Sequence, residues 1–85
     1  MRLDKFLKVS RVIKRRTIAA EACERQRVSV NGQVAKPGKD LKIGDIVEVR
    51  FGANTLRFRV LQTAETVRKE AAAAMYEILE DTHHE

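Results

Sequence analysis

The stretch RVSVNGQV at residues 27–34 constrains this chain more than any other. Val28 and Val30 alternate with Arg27 and Ser29, the two-residue period of a strand. Asn31-Gly32 is the strongest short hairpin signal, because both central residues of such a turn need a positive φ. Gln33-Val34-Ala35 begins the return strand, and Lys36-Pro37-Gly38-Lys39 reads as a second turn with proline placed to start it. Upstream the period is different. Leu3, Phe6, Leu7 and Ser10 fall at helical spacing, predicting a short amphipathic helix over 3–10. Ile18, Ala19, Ala22 and Cys23 predict a second helix, from Thr17 to near Gln26. The β-branched pair Val12 and Ile13 marks the turn between them.

Downstream of the hairpin, Leu41 and Ile43 are expected to pack beneath a turn at Gly44-Asp45, followed by a strand over 46–51. Gly52-Ala53-Asn54 turns the chain into a strand over 55–61. There Leu56, Phe58 and Val60 face the core, and Arg57 and Arg59 face out. From Glu65 or Thr66, the stripe Val67, Ala71, Ala74, Met75, Ile78 and Leu79 predicts a third helix. The order α-α-β-β-β-α is that of an α+β domain. At 85 residues the chain is a single domain, burying about two-thirds of its unfolded surface. Phe6, Phe51 and Phe58 all occupy core-pattern positions, so aromatic residues for stacking on bases are scarce.

Charge is distributed unevenly. Residues 1–17 carry seven Lys/Arg and one acid, Asp4, whereas residues 64–85 carry two Lys/Arg and six acids. The amino-terminal part is thus suited to a polyanion and the carboxyl-terminal part repels one. The segment SRVIKRRT at 10–17 alone holds Arg11, Lys14, Arg15 and Arg16. With Arg2 and Lys5 these form one predicted patch around two short helices. Arginine forks match phosphate oxygens bidentately, and lysines act as point charges. Helix N–H groups beginning near Arg16 would favour a phosphate as well. With aromatic platforms scarce, recognition should rest on backbone shape and phosphate, so structured RNA fits better than a single strand. Asp4 has a second reading, an internal ion pair with an arginine that fixes the helices.

Little in the sequence suggests catalysis. Cys23 lies on an apolar helical stripe and reads as a buried structural thiol. As a lone cysteine it fits a reducing cytoplasm. His83 and His84 are adjacent and lack a third ligand at a sensible spacing. There is no phosphate-cradling glycine loop or nucleophile elbow. The charged amino terminus is unlike a secretory signal, and the longest apolar run, AAAAM at 71–75, is far short of a membrane span. A monomeric binding module without cofactor, metal or membrane is expected, not an enzyme.

RLDKFL at 2–7, RRTIA at 15–19, RVSVNGQVAKPG at 27–38 and GDIVEV at 44–49 resemble the S4 RNA-binding domain. That resemblance implies an L-shaped RNA-binding unit of two helices and a hairpin over 2–50. The extra strand and carboxyl-terminal helix over 55–80 complete a single domain over 1–85. RLDKFLKVSRVIKRR, KPGKDLKIGD, TLRFRVL and EAAAAMYE at 70–77 are similar to the small heat-shock S4 proteins. A basic tail like theirs is missing here, which favours their short stand-alone branch. The resemblance implies binding to obstructed large ribosomal subunits, through 23S rRNA and P-site peptidyl-tRNA. RqcH is the implied functional partner, extending the nascent chain with alanine; whether the two touch is left open. The alternative is an rRNA-binding assembly or structural protein with no tRNA-dependent step. Arg2, Asp4, Lys5, Arg11 and Arg16 match RNA-facing positions of the family, while Lys14 and Arg15 supply general attraction. Two positions depart from the family pattern: Arg15 stands where serine is common, and Gln26 where many members have glycine.

Overall fold

The structure is a computed structural model that describes residues 1–82. His83 and His84, weighed above as metal ligands, lie outside the described residues. Helices α1 (Leu3–Val9) and α2 (Arg16–Glu24) are followed by strands β1 (Val28–Val30), β2 (Gln33–Val34), β3 (Ile46–Phe51) and β4 (Asn54–Val60). A single turn of helix, α3 (Lys69–Ala72), runs through a 3₁₀ turn (Ala73–Met75) into β5 (Tyr76–Thr82). All strand pairs are antiparallel, in the order β2-β1-β3-β4-β5.

The expected hairpin forms as its residues demand. Asn31 and Gly32 take φ of 52° and 84°, and β1 pairs with β2 through Val30 and Gln33. Asn31 also ties the hairpin to β3: its Oδ1 accepts the Ile46 N–H at 2.9 Å and its amide donates to Asp45 at 3.1 Å. Both longer helices end on left-handed residues. Behind α2, Gln26 takes φ 61°, with N–H bonds from Gln26 to the Cys23 carbonyl and from Arg27 to the Ala22 carbonyl, both 2.9 Å. This is a Schellman closure. Gln26 therefore supports a turn that suits glycine, at a steric cost of about 1–2 kcal/mol. Behind α1, Arg11 is left-handed too, with φ 64° and its N–H donated to the Lys8 carbonyl at 3.0 Å, and Ile13 donates to the Leu7 carbonyl at 3.0 Å.

The start of α1 is capped by a distant turn. Leu3 and Asp4 donate their backbone N–H groups to the carbonyls of Lys39 and Pro37, at 2.8 and 3.1 Å. Arg2 forms an isolated bridge with Asp40. The 36–39 turn read from the sequence thus satisfies helix donors that no side chain caps. Leu3, Phe6, Leu7, Ile13, Ala19 and Cys23 share one core with Val28, Val30, Val47, Val49, Phe58, Val60 and Met75. Phe58 stacks on Phe6, with ring centroids 6.0 Å apart, and tilts against Tyr76 at 5.2 Å.

Several expectations are corrected. A third helix is present, but it is one turn long, and residues 76–82 are a strand. Of the predicted stripe only Met75 is buried, while Ile78 and Leu79 stay exposed. The outer edge of β4 offers unpaired backbone groups, and Tyr76, Ile78 and Thr82 favour extended structure. Pairing with β4 also sets Glu77 opposite Arg59 and Glu80 opposite Arg57, giving ion pairs at 3.2 and 3.7 Å. Ile43, expected under the second turn, is 69% exposed, because Leu41 alone turns inward there. Phe51 lies in β3 where it runs past the end of the core, and Ile18 on the flank of α2, whose buried positions are Ala19 and Cys23. No helix among the described residues is long and apolar enough to cross a membrane.

Candidate nucleic-acid interface

The site begins with a buried acid. Asp4 occupies the first turn of α1 and is 4% exposed. Arg2 holds it with both arms of its fork, Nε to Oδ1 at 3.2 Å and Nη2 to Oδ2 at 3.3 Å. The Lys5 backbone N–H donates to Oδ1 at 2.8 Å. Arg16, at the first position of α2, places Nε 3.5 Å from Oδ2. One carboxylate thus gathers two arginines from different elements and leaves both about half exposed. The internal ion pair read from the sequence forms here: Asp4 lies behind Arg2 and Arg16 and positions both guanidinium groups.

Burial pushes the Asp4 carboxyl up, but the bonds from Arg2 and Lys5 and the charges of Arg16 and Arg2 outweigh it, so the pKa is held below the usual range. A lowered folded pKa stabilises the fold above the unfolded value, about 3.9, and that contribution is lost as pH falls through the folded value. Asp4→Asn is therefore expected to lower stability by about 1–2 kcal/mol at neutral pH. Urea unfolding of both proteins at pH 7 and pH 3 checks this, the difference shrinking at the lower pH.

Beside this cluster lies an open groove of about 750 Å³, lined by Lys5, Lys8, Arg11, Lys14, Arg16 and Lys69, with Glu65, Thr66, Val67 and Val9. The left-handed backbone of Arg11 carries its side chain to this groove where α1 ends, a strained position of the kind found at functional sites. Arg15 is the residue before α2; it is exposed, makes no side-chain capping bond and does not line the groove. A serine at that position would accept a bond from the helix end. The predicted patch therefore resolves into two parts, an Arg2–Asp4–Arg16 cluster and a groove containing Lys5, Arg11, Lys14 and Arg16. Cys23 is buried, and burial first, then the charges of Asp4 and Glu24, push its thiol up to about 11. Such a thiol is a poor nucleophile at neutral pH. Among the described residues no group of three or more His, Cys, Asp or Glu is placed to hold a metal.

Residues 1–47, more than half of the chain, match the S4 domain family. The chain belongs to the S4 domain family. The RQC P-site tRNA stabilizing factor of Streptococcus pneumoniae R6 is 53% identical over 85 residues, covering all of this chain and 97% of that protein. Its namesake in Bacillus subtilis 168 is 52% identical over 81 residues, covering 95% and 94% of the two chains. The trimeric structure of Vibrio cholerae Heat Shock Protein 15 superposes with a TM-score of 0.86 at 32% identity, over 92% of this chain and 80% of that one. The solution structure of HP1423 gives 0.80 at 28% identity, over 94% and 98%. The likeness to the short stand-alone branch, RqcP, expected from the sequence, holds along the whole chain.

The match to the S4 domain stops before residues that complete this groove. Lys69 arrives from beyond β4, and no spacing in the sequence links it to a helix some sixty positions earlier. Lys8 was legible, three residues after Lys5 on the same face of α1. Glu65 is also brought to this part of the S4 domain, where it pairs with Lys5.

Proposed function

We propose that this protein is an RNA-binding factor of ribosome quality control. It binds obstructed large ribosomal subunits, contacting 23S rRNA and P-site peptidyl-tRNA, and supports RqcH-dependent alanine tailing of stalled nascent chains. It acts in the cytoplasm as a single copy, by binding and not by catalysis. The observation that carries this reading is the 53% identity along the full chain to a protein named for stabilising P-site tRNA in that process. The geometry supports it: arginine forks fixed by a buried acid, beside a cationic groove, suit a rigid phosphate backbone.

Purification of the tagged protein from cells, followed by analysis of the bound RNA and particles, tests the reading. Mature large subunits carrying peptidyl-tRNA are expected. Recovery of immature assembly particles instead would favour an rRNA-binding assembly protein. Affinity for isolated subunits should fall with log salt at a slope of roughly −3 to −4, as four or five phosphate contacts require.

A further inference from the structure

Glu65 is an acid in a groove otherwise suited to anions. It lies in the irregular segment 61–68, which leaves β4 and returns across the amino-terminal helices. Leu61 and Gln62 anchor its start by donating to the Met75 carbonyl at 2.8 and 3.2 Å. Ala64 and Val67 pack partly buried against the core on either side of Glu65. Packing therefore fixes where the carboxylate is delivered, although its side chain is 79% exposed. It pairs with Lys5, one of the six cations lining the groove. The hydrogen bond and charge of Lys5, aided by the chain amino group and Arg16, hold its carboxyl below the usual range. A carboxylate accepting bonds from an ammonium there presents the same charge and acceptor chemistry as a phosphodiester oxygen.

We propose that Glu65 is a specificity-determining residue of the RNA site: a built-in counter-ion that occupies Lys5 and must be displaced by an RNA phosphate. This rests on the RNA-binding reading above and adds a threshold to it. A polyanion that uses Lys5 must first break the pair, so incidental contacts gain less than the six cations alone would give. An RNA that also engages Arg11, Lys14 and Arg16 recovers the loss. Specificity obtained by opposing the wrong partner works in this way.

The test measures binding of the full chain to a labelled RNA duplex of non-ribosomal sequence, across a series of salt concentrations. Glu65→Gln is expected to bind about threefold tighter at moderate salt, as loss of one exposed ion pair implies, with the salt slope steeper by up to about one. Glu21→Gln removes an acid paired with Arg25 on α2, outside the groove, and should give less than half that gain. In a Lys5→Met background the effect of Glu65→Gln should also fall by at least half. A gain in Glu65→Gln that exceeds Glu21→Gln and depends on Lys5 supports the proposal. Unchanged affinity, or an equal gain in all backgrounds, overturns it and leaves the RNA-binding reading standing. If neither wild type nor variant binds this duplex, no gain appears and the proposal is overturned; the RNA-binding reading falls only if neither binds isolated large ribosomal subunits.

Discussion

Alanine at both Arg2 and Arg16 is expected to weaken association with large ribosomal subunits by about a hundredfold, and at Arg16 alone by about tenfold. A charge-assisted hydrogen bond is worth about 1.5–3 kcal/mol when well desolvated. These guanidinium groups are 57% and 48% exposed, so we take about 1.4 kcal/mol each, one factor of ten. Arg16→Lys should recover only part of the loss, because an ammonium keeps the charge but not the fork. In the single variant Arg2 still neutralises Asp4, so the fold is retained. The double variant leaves Asp4 buried with only the Lys5 amide as donor, and adding Asp4→Asn removes that stranded charge. Co-sedimentation with purified subunits, alongside circular dichroism, checks each protein. Unchanged co-sedimentation of a folded Arg16→Ala protein would falsify the assignment of this cluster.

Phe58→Ala is expected to have the largest effect on stability. Phe58 is fully buried and bridges Phe6 on α1 and Tyr76 on β5. Truncating a buried phenylalanine costs about 3–5 kcal/mol through lost transfer energy and the cavity left behind. A domain of this length holds roughly 4–13 kcal/mol in total. The loss corresponds to a fall in Tm of about 15–30 °C, measurable by thermal unfolding. RNA binding should disappear with it, because the seat of α1 is removed.

The two helices, the hairpin and the third and fourth strands were legible because each satisfies one period and one terminating signal. Asn31-Gly32 and the turn at residues 36–39 are local chemistry, and local chemistry is what sequence displays. Part of the groove was legible for the same reason, since Arg11 and Lys14 lie in the short turn between α1 and α2 and Arg16 opens α2, whereas Arg15, next to them in sequence, lies outside it. Residues 76–82 were not, because AAAAMYEIL fits a helical stripe and the rival is decided elsewhere. The open edge of β4 and the arginines Arg57 and Arg59 lie some twenty positions upstream and settle the matter through pairing. Ile18, Ile43 and Phe51 failed as core residues because period assigns a face but not the extent of the layer covering it. Glu65 and Lys69 enter the groove only through the return of the chain, which no spacing encodes.

The core beneath α1 bears on the order in which the protein is made. Leu3, Phe6 and Leu7 leave the synthesising ribosome some fifty residues or more ahead of Phe58, Val60 and Met75, with which they share the core. Contacts so far apart along the chain form only after the intervening loops have closed. The segment matching the family ends at residue 47, short of all three partners. Helix α1 is therefore made well before the residues that seat it, and its packing is completed only once Phe58, Val60 and Met75 have followed.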